Sequence, residues 1–110
     1  MTNNIQKEGQ TTVHFIVPPL KADLMRIWKS TFLKANNSEK VSKMIVNHNI
    51  STFPKWTKID TNKLNTFTLI FEGLPKDCTS FDLIEDALED GGFLYENIQR
   101  TYNDVYEIIL

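Results

Sequence analysis

Residues 67–85, FTLIFEGLPKDCTSFDLIE, carry the most regular pattern in the chain. Apolar and polar residues alternate up to Glu72, the alternation stops at residues 73–75, and it resumes a few residues later. A period of two places every second side chain on the same face of a β-strand. Because proline cannot donate to a sheet ladder and glycine weakens a strand, the break separates two strands. This stretch therefore predicts two half-buried strands joined by a tight corner.

Shorter segments with the same character lie on both sides of this stretch. They are rich in β-branched or aromatic residues, and residues that favour turns separate them. Several short strands with regular turn signals are typical of a β-sandwich, and we predict an all-β, antiparallel β-sandwich of about seven strands. The further predicted strands are 11–17, 41–50, 93–100 and 104–110.

The segment 20–35 has two interpretations. Its apolar residues recur at helical spacing, and its Lys, Ala, Leu and Met residues favour a helix. As a strand, the same segment places Trp28 and Phe32 on one face. The helical interpretation predicts an α+β fold with a helix at about 20–35 over a curved sheet. That alternative would hold a small-molecule cavity lined by Phe, Trp and Leu.

The chain of 110 residues is long enough for one domain and short for two. Residues 1–10 are polar and are predicted to form a disordered tail, so residues 11–110 form a single β-sandwich domain. The first residues lack the pattern of a signal peptide, and no apolar run approaches the ~20 residues of a membrane-spanning helix. We therefore predict no membrane insertion and a cytoplasmic location, or an exported one if a signal segment has been removed.

Charge is distributed unevenly along the chain. Residues 21–63 carry nine Lys and Arg against three Asp and Glu, whereas residues 64–110 carry two against ten. In a compact domain these two parts interleave, which favours charge pairing inside the molecule. The basic residues are scattered, and no cluster of Arg with aromatic residues is visible, so we predict no nucleic-acid partner.

Residue types that perform chemistry are few. The two histidines, His14 and His48, stand outside any recognisable nucleophile motif. Together with Cys78, the only cysteine, they are too widely spaced for a zinc site, and a lone cysteine forms no disulfide within the chain. The four glycines form no phosphate-binding loop. We therefore predict a protein that is not an enzyme, with no catalytic residues and no cofactor.

An acidic run is the one feature with the composition of a cation site. Calcium prefers clustered oxygen ligands on a turning backbone, and the run ends at Gly91-Gly92. Its spacing differs from that of an EF-hand loop, so a solvated acidic loop is the simpler interpretation. A calcium-responsive module remains an alternative function. Its candidate ligands are Asp82, Glu85, Asp86, Glu89 and Asp90.

Three pieces of the sequence, in this order, resemble a known family. They are IWKSTFLKANN with KVSKMIVNHNI, then FPKW, and then FTLIFEGLPKDCTSFDLIE. A similar succession is found in bacterial immunoglobulin-like β-sandwich modules, some of which precede thioredoxin-like thiol–disulfide oxidoreductase domains. The resemblance covers residues 24–85, and its motifs include the strand end at 31–33, the corner at 71–75 and the strand at 81–85. It implies an immunoglobulin-like fold and favours strands over a helix in residues 20–35.

This resemblance and the lack of catalytic motifs together predict a non-enzymatic interaction or accessory module. Its activity would be to bind or position a protein partner. A sheet edge accepts an added strand through main-chain hydrogen bonds, and the apolar C-terminal segment is a candidate for such an edge or for a swapped strand in a homodimer. The candidate partner-binding residues are Tyr106, Ile108 and Leu110, which share one side of the predicted strand.

Overall fold

The computed structural model of the protein describes residues 9–85 and 92–110. These residues form nine β-strands, and no helix occurs among them. The all-β prediction is therefore confirmed. The strands are β1 (Gln10–Val17), β2 (Leu24–Met25), β3 (Phe32–Ala35), β4 (Val41–His48), β5 (Thr57–Lys58), β6 (Asn65–Glu72), β7 (Ser80–Ile84), β8 (Leu94–Gln99) and β9 (Val105–Ile109).

Seven strands form one sheet in the order β8-β7-β3-β4-β6-β1-β9, and β2 pairs with β5 in a separate two-stranded ribbon. Neighbours in the large sheet are antiparallel except β1 and β9, which are parallel. The sheet is thus mixed, whereas the sequence predicted antiparallel pairing throughout. The sheet also curls. The curl is evident from the rings of Phe81 in β7 and Tyr106 in β9, which meet edge to face with centroids 4.9 Å apart. Strands near opposite ends of the sheet order therefore share one core.

The core lies on the inner side of this curl. In β1 and β6 every second side chain is buried, as the alternation predicts. Phe15 and Phe67 are opposite each other in the ladder and stack with ring centroids 4.6 Å apart. Such an aromatic pair contributes roughly 0.5–1.5 kcal/mol beyond its buried area. Register shifts after Met44 in β4 and after Phe81 in the β7–β8 pair mark bulges, which help the sheet to bend.

Residues 20–35 contain no helix, so the alternative with a helix at about 20–35 is wrong. They form β2 and β3, separated by a turn in which the hydroxyl and N–H of Thr31 donate to the Trp28 carbonyl. β3 lies between β4 and β7 and buries Leu33 and Ala35 completely. The free energy gained by packing two buried side chains in a central strand outweighs the helical propensity of the segment, because differences in propensity are small compared with packing energies.

The corner at residues 73–75 explains the break in the stretch 67–85. Gly73 lies against the backbone of Gly9, and a Cβ on Gly73 would come within 2.7 Å of the Gly9 carbonyl carbon. The Gly73 carbonyl accepts a hydrogen bond from the Ser42 hydroxyl at 2.9 Å. Any larger residue at this position would push the start of β1 away, so the glycine is required by close backbone approach.

The predicted tail of residues 1–10 lies outside the described residues except for its last two. Gln10 already pairs with Glu72 in the ladder, so β1 begins one residue before the predicted domain. Within the described residues we find no helix that is long and apolar enough to cross a membrane.

Candidate functional site

Strand β9 stands at one end of the seven-stranded sheet. On one side it pairs with β1, from Thr12↔Val105 to Ile16↔Ile109. On the other side no described strand pairs with it. Edge strands present a row of main-chain donors and acceptors to which another chain can bind. The outer edge of β9 is therefore a candidate interaction site.

The parallel ladder determines which main-chain groups of β9 point outward. Thr12 donates its N–H to the Asp104 carbonyl, and Leu110 donates its N–H to the Ile16 carbonyl, both at 2.9 Å. In a parallel pair, alternate residues of one strand bond to the neighbour. The even-numbered residues of β9 therefore face β1, and the odd-numbered residues face the open edge.

The three odd-numbered residues differ in whether their outward N–H and C=O groups have hydrogen-bond partners. The N–H of Val105 donates to the side chain of Asn103 at 3.3 Å, and its carbonyl accepts from the Thr101 hydroxyl at 3.5 Å. For Glu107 and Ile109, no described residue pairs with the outward N–H and C=O groups. The open part of the edge thus extends over the second half of β9.

The three predicted partner-binding residues share one side of the strand, and that side faces the core. Tyr106 is buried, and Ile108 and Leu110 are partly buried against the core. The opposite side carries Val105 and Ile109, which are 41% and 66% exposed. Contact between a partner and the three predicted residues stays a prediction, whereas the exposed apolar side chains of β9 are these two.

A hydrogen-bond network holds the turn before β9. Arg100 donates from Nε and Nη2 to the two carboxylate oxygens of Asp104 at 3.0 and 3.1 Å, and from Nη1 to the carbonyls of Pro75 and Cys78. The bond to Asp104 is the main reason that the pKa of Arg100 is raised. The Tyr106 hydroxyl donates to Asp104 at 2.9 Å, and burial raises the pKa of this hydroxyl. The start of β9 is therefore tied to the loop that precedes β7.

The two-stranded ribbon carries a second candidate surface. Leu24 pairs with Lys58 across the ribbon. Alternation along the first strand sends Met25 and Ile27 toward the core and leaves Leu24 and Arg26 on the other side. We call this outward surface, together with the aromatic residues that pack on it, the ribbon face. Its members are Leu24, Arg26, Trp28, Phe53, Trp56 and Lys58.

The side chains of the ribbon face are stacked. The guanidinium carbon of Arg26 lies 3.8 Å from the centroid of the Trp56 ring and 4.5 Å from that of Phe53. Phe53 in turn stacks on Trp28, with centroids 4.2 Å apart and planes 9° from parallel. Arg26 and Trp28 therefore cover opposite faces of Phe53. Arg26 also donates from Nη1 to the Pro54 carbonyl at 3.1 Å, which fixes the guanidinium in the stack.

No cluster of Arg with aromatic residues is visible in the sequence, but the fold forms this one. It was missed because its members come from two segments that only the fold brings together, through the β2–β5 pairing and the bridge between Ile27 and Thr52. Two sequence signals pointed to it. They are the spacing of Arg26 and Trp28, which places both on one side of an extended segment, and the aromatic residues of the segment FPKW.

The acidic run is only partly described. Asp82 accepts the N–H of Asn97 at 3.0 Å, and Glu85 accepts the N–H of Trp28 at 3.0 Å. Burial raises the pKa of the Glu85 carboxyl. No group of three or more His, Cys, Asp or Glu side chains in residues 9–85 and 92–110 is placed to hold a metal ion. The other candidate ligands lie outside the described residues: Asp86, Glu89 and Asp90. The calcium hypothesis stays a prediction.

The histidines and the cysteine lie in different environments. His14 in β1 and His48 in β4 both neighbour Thr68 of β6, and His14 Nδ1 is hydrogen-bonded to the Thr68 hydroxyl at 2.8 Å. Both imidazoles are exposed, so water competes for them. Cys78 is buried, and its thiol donates to the Ser80 carbonyl at 3.0 Å. The thiol thus stabilises the loop before β7.

Two open clefts in the described part of the molecule contain residues named above. The larger, about 740 Å³, lies beside the start of β1 and contains Arg100 in its wall, where the guanidinium is already engaged by Asp104. The smaller, about 360 Å³, lies between β3 and β4 and is mainly apolar, with Lys29 and Lys43 in its lining. Neither is lined mainly by Phe, Trp and Leu side chains, as the cavity of the small-molecule alternative would be.

Comparison with known proteins yields no relative. No family model matches the chain, and no curated protein or solved structure matches it.

Proposed function

We propose that the protein is a non-enzymatic interaction module that binds an extended segment of a protein partner along the outer edge of β9. The observation that carries this proposal is the pair of outward-facing peptide units at Glu107 and Ile109, in a strand whose other side is fixed to β1. A strand added at such an edge gains affinity from main-chain hydrogen bonds and specificity from alternate side chains.

The edge is held in its binding conformation before a partner arrives. Arg100, Asp104 and Tyr106 fix the turn that leads into β9, and the ladder with β1 fixes the strand itself. Binding to an ordered strand avoids most of the entropy that a flexible segment would lose. This order distinguishes β9 from a loose terminal segment and supports its use as a template.

The side chains beside the edge suggest what kind of segment binds. Val105 and Ile109 are exposed and apolar, and Glu107 stands between them on the same side of the strand. A charge at the centre of an edge disfavours indiscriminate pairing with other strands. The matching segment is extended, with apolar residues at alternate positions and a basic residue opposite Glu107.

The resemblance of residues 24–85 to bacterial immunoglobulin-like modules supports an accessory role of this kind. In this proposal the curled sheet is an immunoglobulin-like variant in which the last strand stays open to a partner. This variant differs from the predicted antiparallel sandwich in the parallel pairing of β1 with β9.

Two substitutions at one position test the proposal. Ile109→Pro removes the outward N–H without removing a bond to β1, and Ile109→Ala keeps the N–H while removing the side chain. Extended peptides would first be selected from a random library on the wild-type protein, and their dissociation constants then measured. We expect Ile109→Pro to weaken binding by about tenfold or more and Ile109→Ala by less, since only the first loses a main-chain bond.

Nuclear magnetic resonance of the wild-type complex locates the bound peptide. We expect the amide signals of Glu107 and Ile109 to shift most and to become protected from exchange. Selected peptides that leave both amides unchanged, or that bind Ile109→Pro as well as wild type, would show that the edge is not the site.

If the partner segment is a second copy of the chain, sedimentation over a hundredfold concentration range will show association that Ile109→Pro abolishes. A monomer throughout removes that version.

A further inference from the structure

The ribbon face exposes aromatic, aliphatic and cationic side chains to solvent. Trp56 is 53% exposed, and Phe53 and Leu24 are similarly accessible. Leu20, whose N–H donates to the Thr61 carbonyl at the base of the ribbon, is 80% exposed. Several large apolar side chains exposed by two adjacent segments indicate a surface that something covers.

The two segments that carry these apolar side chains also carry several exposed basic residues. Lys21, Lys55 and Lys58 are exposed on the same two segments, and none lies within ion-pair distance of a described carboxylate, whereas Lys29 lines the cleft between β3 and β4. The nearby acidic residues are the exposed Asp23 and Asp60 of these segments and the buried Glu85, which accepts the N–H of Trp28. With Arg26 included, positive charge exceeds negative charge here. The surface therefore favours a ligand that is anionic and apolar at once.

The stacked arrangement narrows the choice of ligand. Bases and sugars bind aromatic residues through open ring faces, and a nucleic-acid strand needs several such faces in succession. Both faces of Phe53 are covered, by Arg26 and Trp28, and one face of Trp56 is covered by Arg26. The ribbon face thus presents no unbroken succession of open ring faces. This geometry disfavours stacking of bases or sugars.

The ribbon face is also poorly suited to binding a peptide. The ribbon strands are two residues long, so they offer no edge of useful length, and the clefts described above lie elsewhere. A bilayer surface requires neither an edge nor a cleft. It requires Trp and Leu side chains at the level of the head groups and Lys or Arg beside them, which is the composition of interfacial membrane-binding surfaces.

We propose that the ribbon face adsorbs to the surface of a bilayer that contains anionic lipids. Leu24, Trp56 and Leu20 enter the head-group region, and the lysines contact the lipid phosphates. The stack of Arg26 between aromatic rings holds Trp56 in position, so the surface is formed before contact. This mode places the protein on a membrane without any segment spanning it, and it is independent of the edge of β9.

Vesicle binding tests the proposal with the protein as it is. The protein would be mixed with vesicles of phosphatidylcholine alone, or of phosphatidylcholine with about one third phosphatidylglycerol, and the bound fraction measured by flotation. We expect binding to the anionic vesicles only, with loss of binding at high salt because the lysines act through screened charge. Tryptophan fluorescence should be quenched by brominated lipid, since Trp56 enters the head-group region.

Matched lysine variants identify the surface. Lys55→Ala and Lys58→Ala should each lower the partition coefficient about fivefold, whereas Lys40→Ala and Lys76→Ala, which lie off the ribbon, should leave it unchanged. Leu24→Ser should also weaken binding, and circular dichroism would confirm that each variant is folded. Ile109→Pro should bind vesicles like wild type, which separates this proposal from the one on β9.

Three results would overturn the proposal. They are absence of binding to anionic vesicles at low salt, equal binding to neutral vesicles, and equal losses for Lys58→Ala and Lys76→Ala. Binding to an acidic peptide such as polyglutamate without binding to vesicles would likewise overturn it and would assign the ribbon face to a protein.

Discussion

Arg100 directs its guanidinium to the Asp104 carboxylate and to carbonyls of the loop at residues 75–78. The Arg100 and Asp104 side chains are 19% and 15% exposed, so water screens this ion pair only partly. Arg100→Ala would leave the carboxylate and two carbonyls without this donor, and we expect it to lower the free energy of unfolding by roughly 2 kcal/mol. Arg100→Lys should recover little of this, because an ammonium group cannot reproduce the two-pronged contact. Urea unfolding measures both effects.

Lys76→Ala is the control for this prediction, because Lys76 is an exposed cation in the same loop. Surface substitutions of this kind change the free energy of unfolding by less than about 0.5 kcal/mol. An equally small change for Arg100→Ala would mean that the network around Asp104 does not hold the turn.

Glu85 predicts a dependence of stability on pH. Burial raises the pKa of its carboxyl above the ordinary value of 4.5, and the backbone bonds from Trp28 and Phe93 offset this only in part. The folded chain therefore holds the proton more tightly than the unfolded chain, so this group lowers stability as pH rises from 4.5 through the raised pKa. Glu85→Gln keeps a side-chain acceptor for Trp28 and does not titrate.

The expected result is that the difference in unfolding free energy, Glu85→Gln minus wild type, increases with pH across that window and is constant above it. Urea unfolding of the two proteins at several pH values gives this difference, and all other titrating groups cancel in it. A constant difference at every pH would contradict a raised pKa, and a decreasing one would mean that the folded protein lowers it.

The limits of the sequence at this scale are clear in β9. Alternation correctly placed Tyr106, Ile108 and Leu110 on one side, but both sides of the strand are apolar, since Val105 and Ile109 occupy the other. A period of two assigns residues to a common face without saying which face is buried. Only the position of β9 beside β1 in the curled sheet decides that point.

At the scale of elements, long strands were predictable and the ribbon was not. β1, β4 and β6 each contain eight residues, enough for a period to be visible, and the predicted segments overlap them closely. β2 and β5 contain two residues each, which is too short for any period. They form because distant segments meet, so the pairing that builds the ribbon face is visible only in the fold.

A double-mutant cycle tests whether the stack stabilises the ribbon. Arg26→Met and Trp56→Leu would be made singly and together, and we expect a coupling free energy of about 0.5–1 kcal/mol from the contact between guanidinium and indole. The bond from Arg26 to the Pro54 carbonyl is lost in both backgrounds, so it cancels in the coupling. Urea unfolding provides the four free energies.

Lys21 supplies the matched control, because its exposed cation belongs to the same segment and no ring contact of its side chain is found among the described residues. The coupling between Lys21→Met and Trp56→Leu should be near zero. A coupling as small for Arg26 would mean that the stack forms without contributing to stability.

At the scale of the whole molecule, the described residues show ion pairing within one part of the chain. The ion pair whose two partners are both described, Arg100 with Asp104, lies entirely within the acidic part, residues 64–110. Composition alone could not reveal this, because it does not say which charges meet. The exposed lysines of the ribbon form no ion pair with a described carboxylate. Their charge is one reason for proposing an anionic surface as the ligand of the ribbon face.

The two tryptophans give a direct test of whether ribbon and sheet form one unit. Trp28 and Trp56 both belong to the ribbon face, whereas far-UV circular dichroism reports mainly on the seven-stranded sheet. Ile27 and Ile59, from the two ribbon segments, are 1% and 6% exposed and belong to the same core as the sheet. Exposing them would disrupt that core, so we expect the tryptophan fluorescence and circular dichroism transitions in urea to coincide. A fluorescence transition at lower urea would instead show that the ribbon unfolds first and that its inner side chains contribute little to the stability of the sheet.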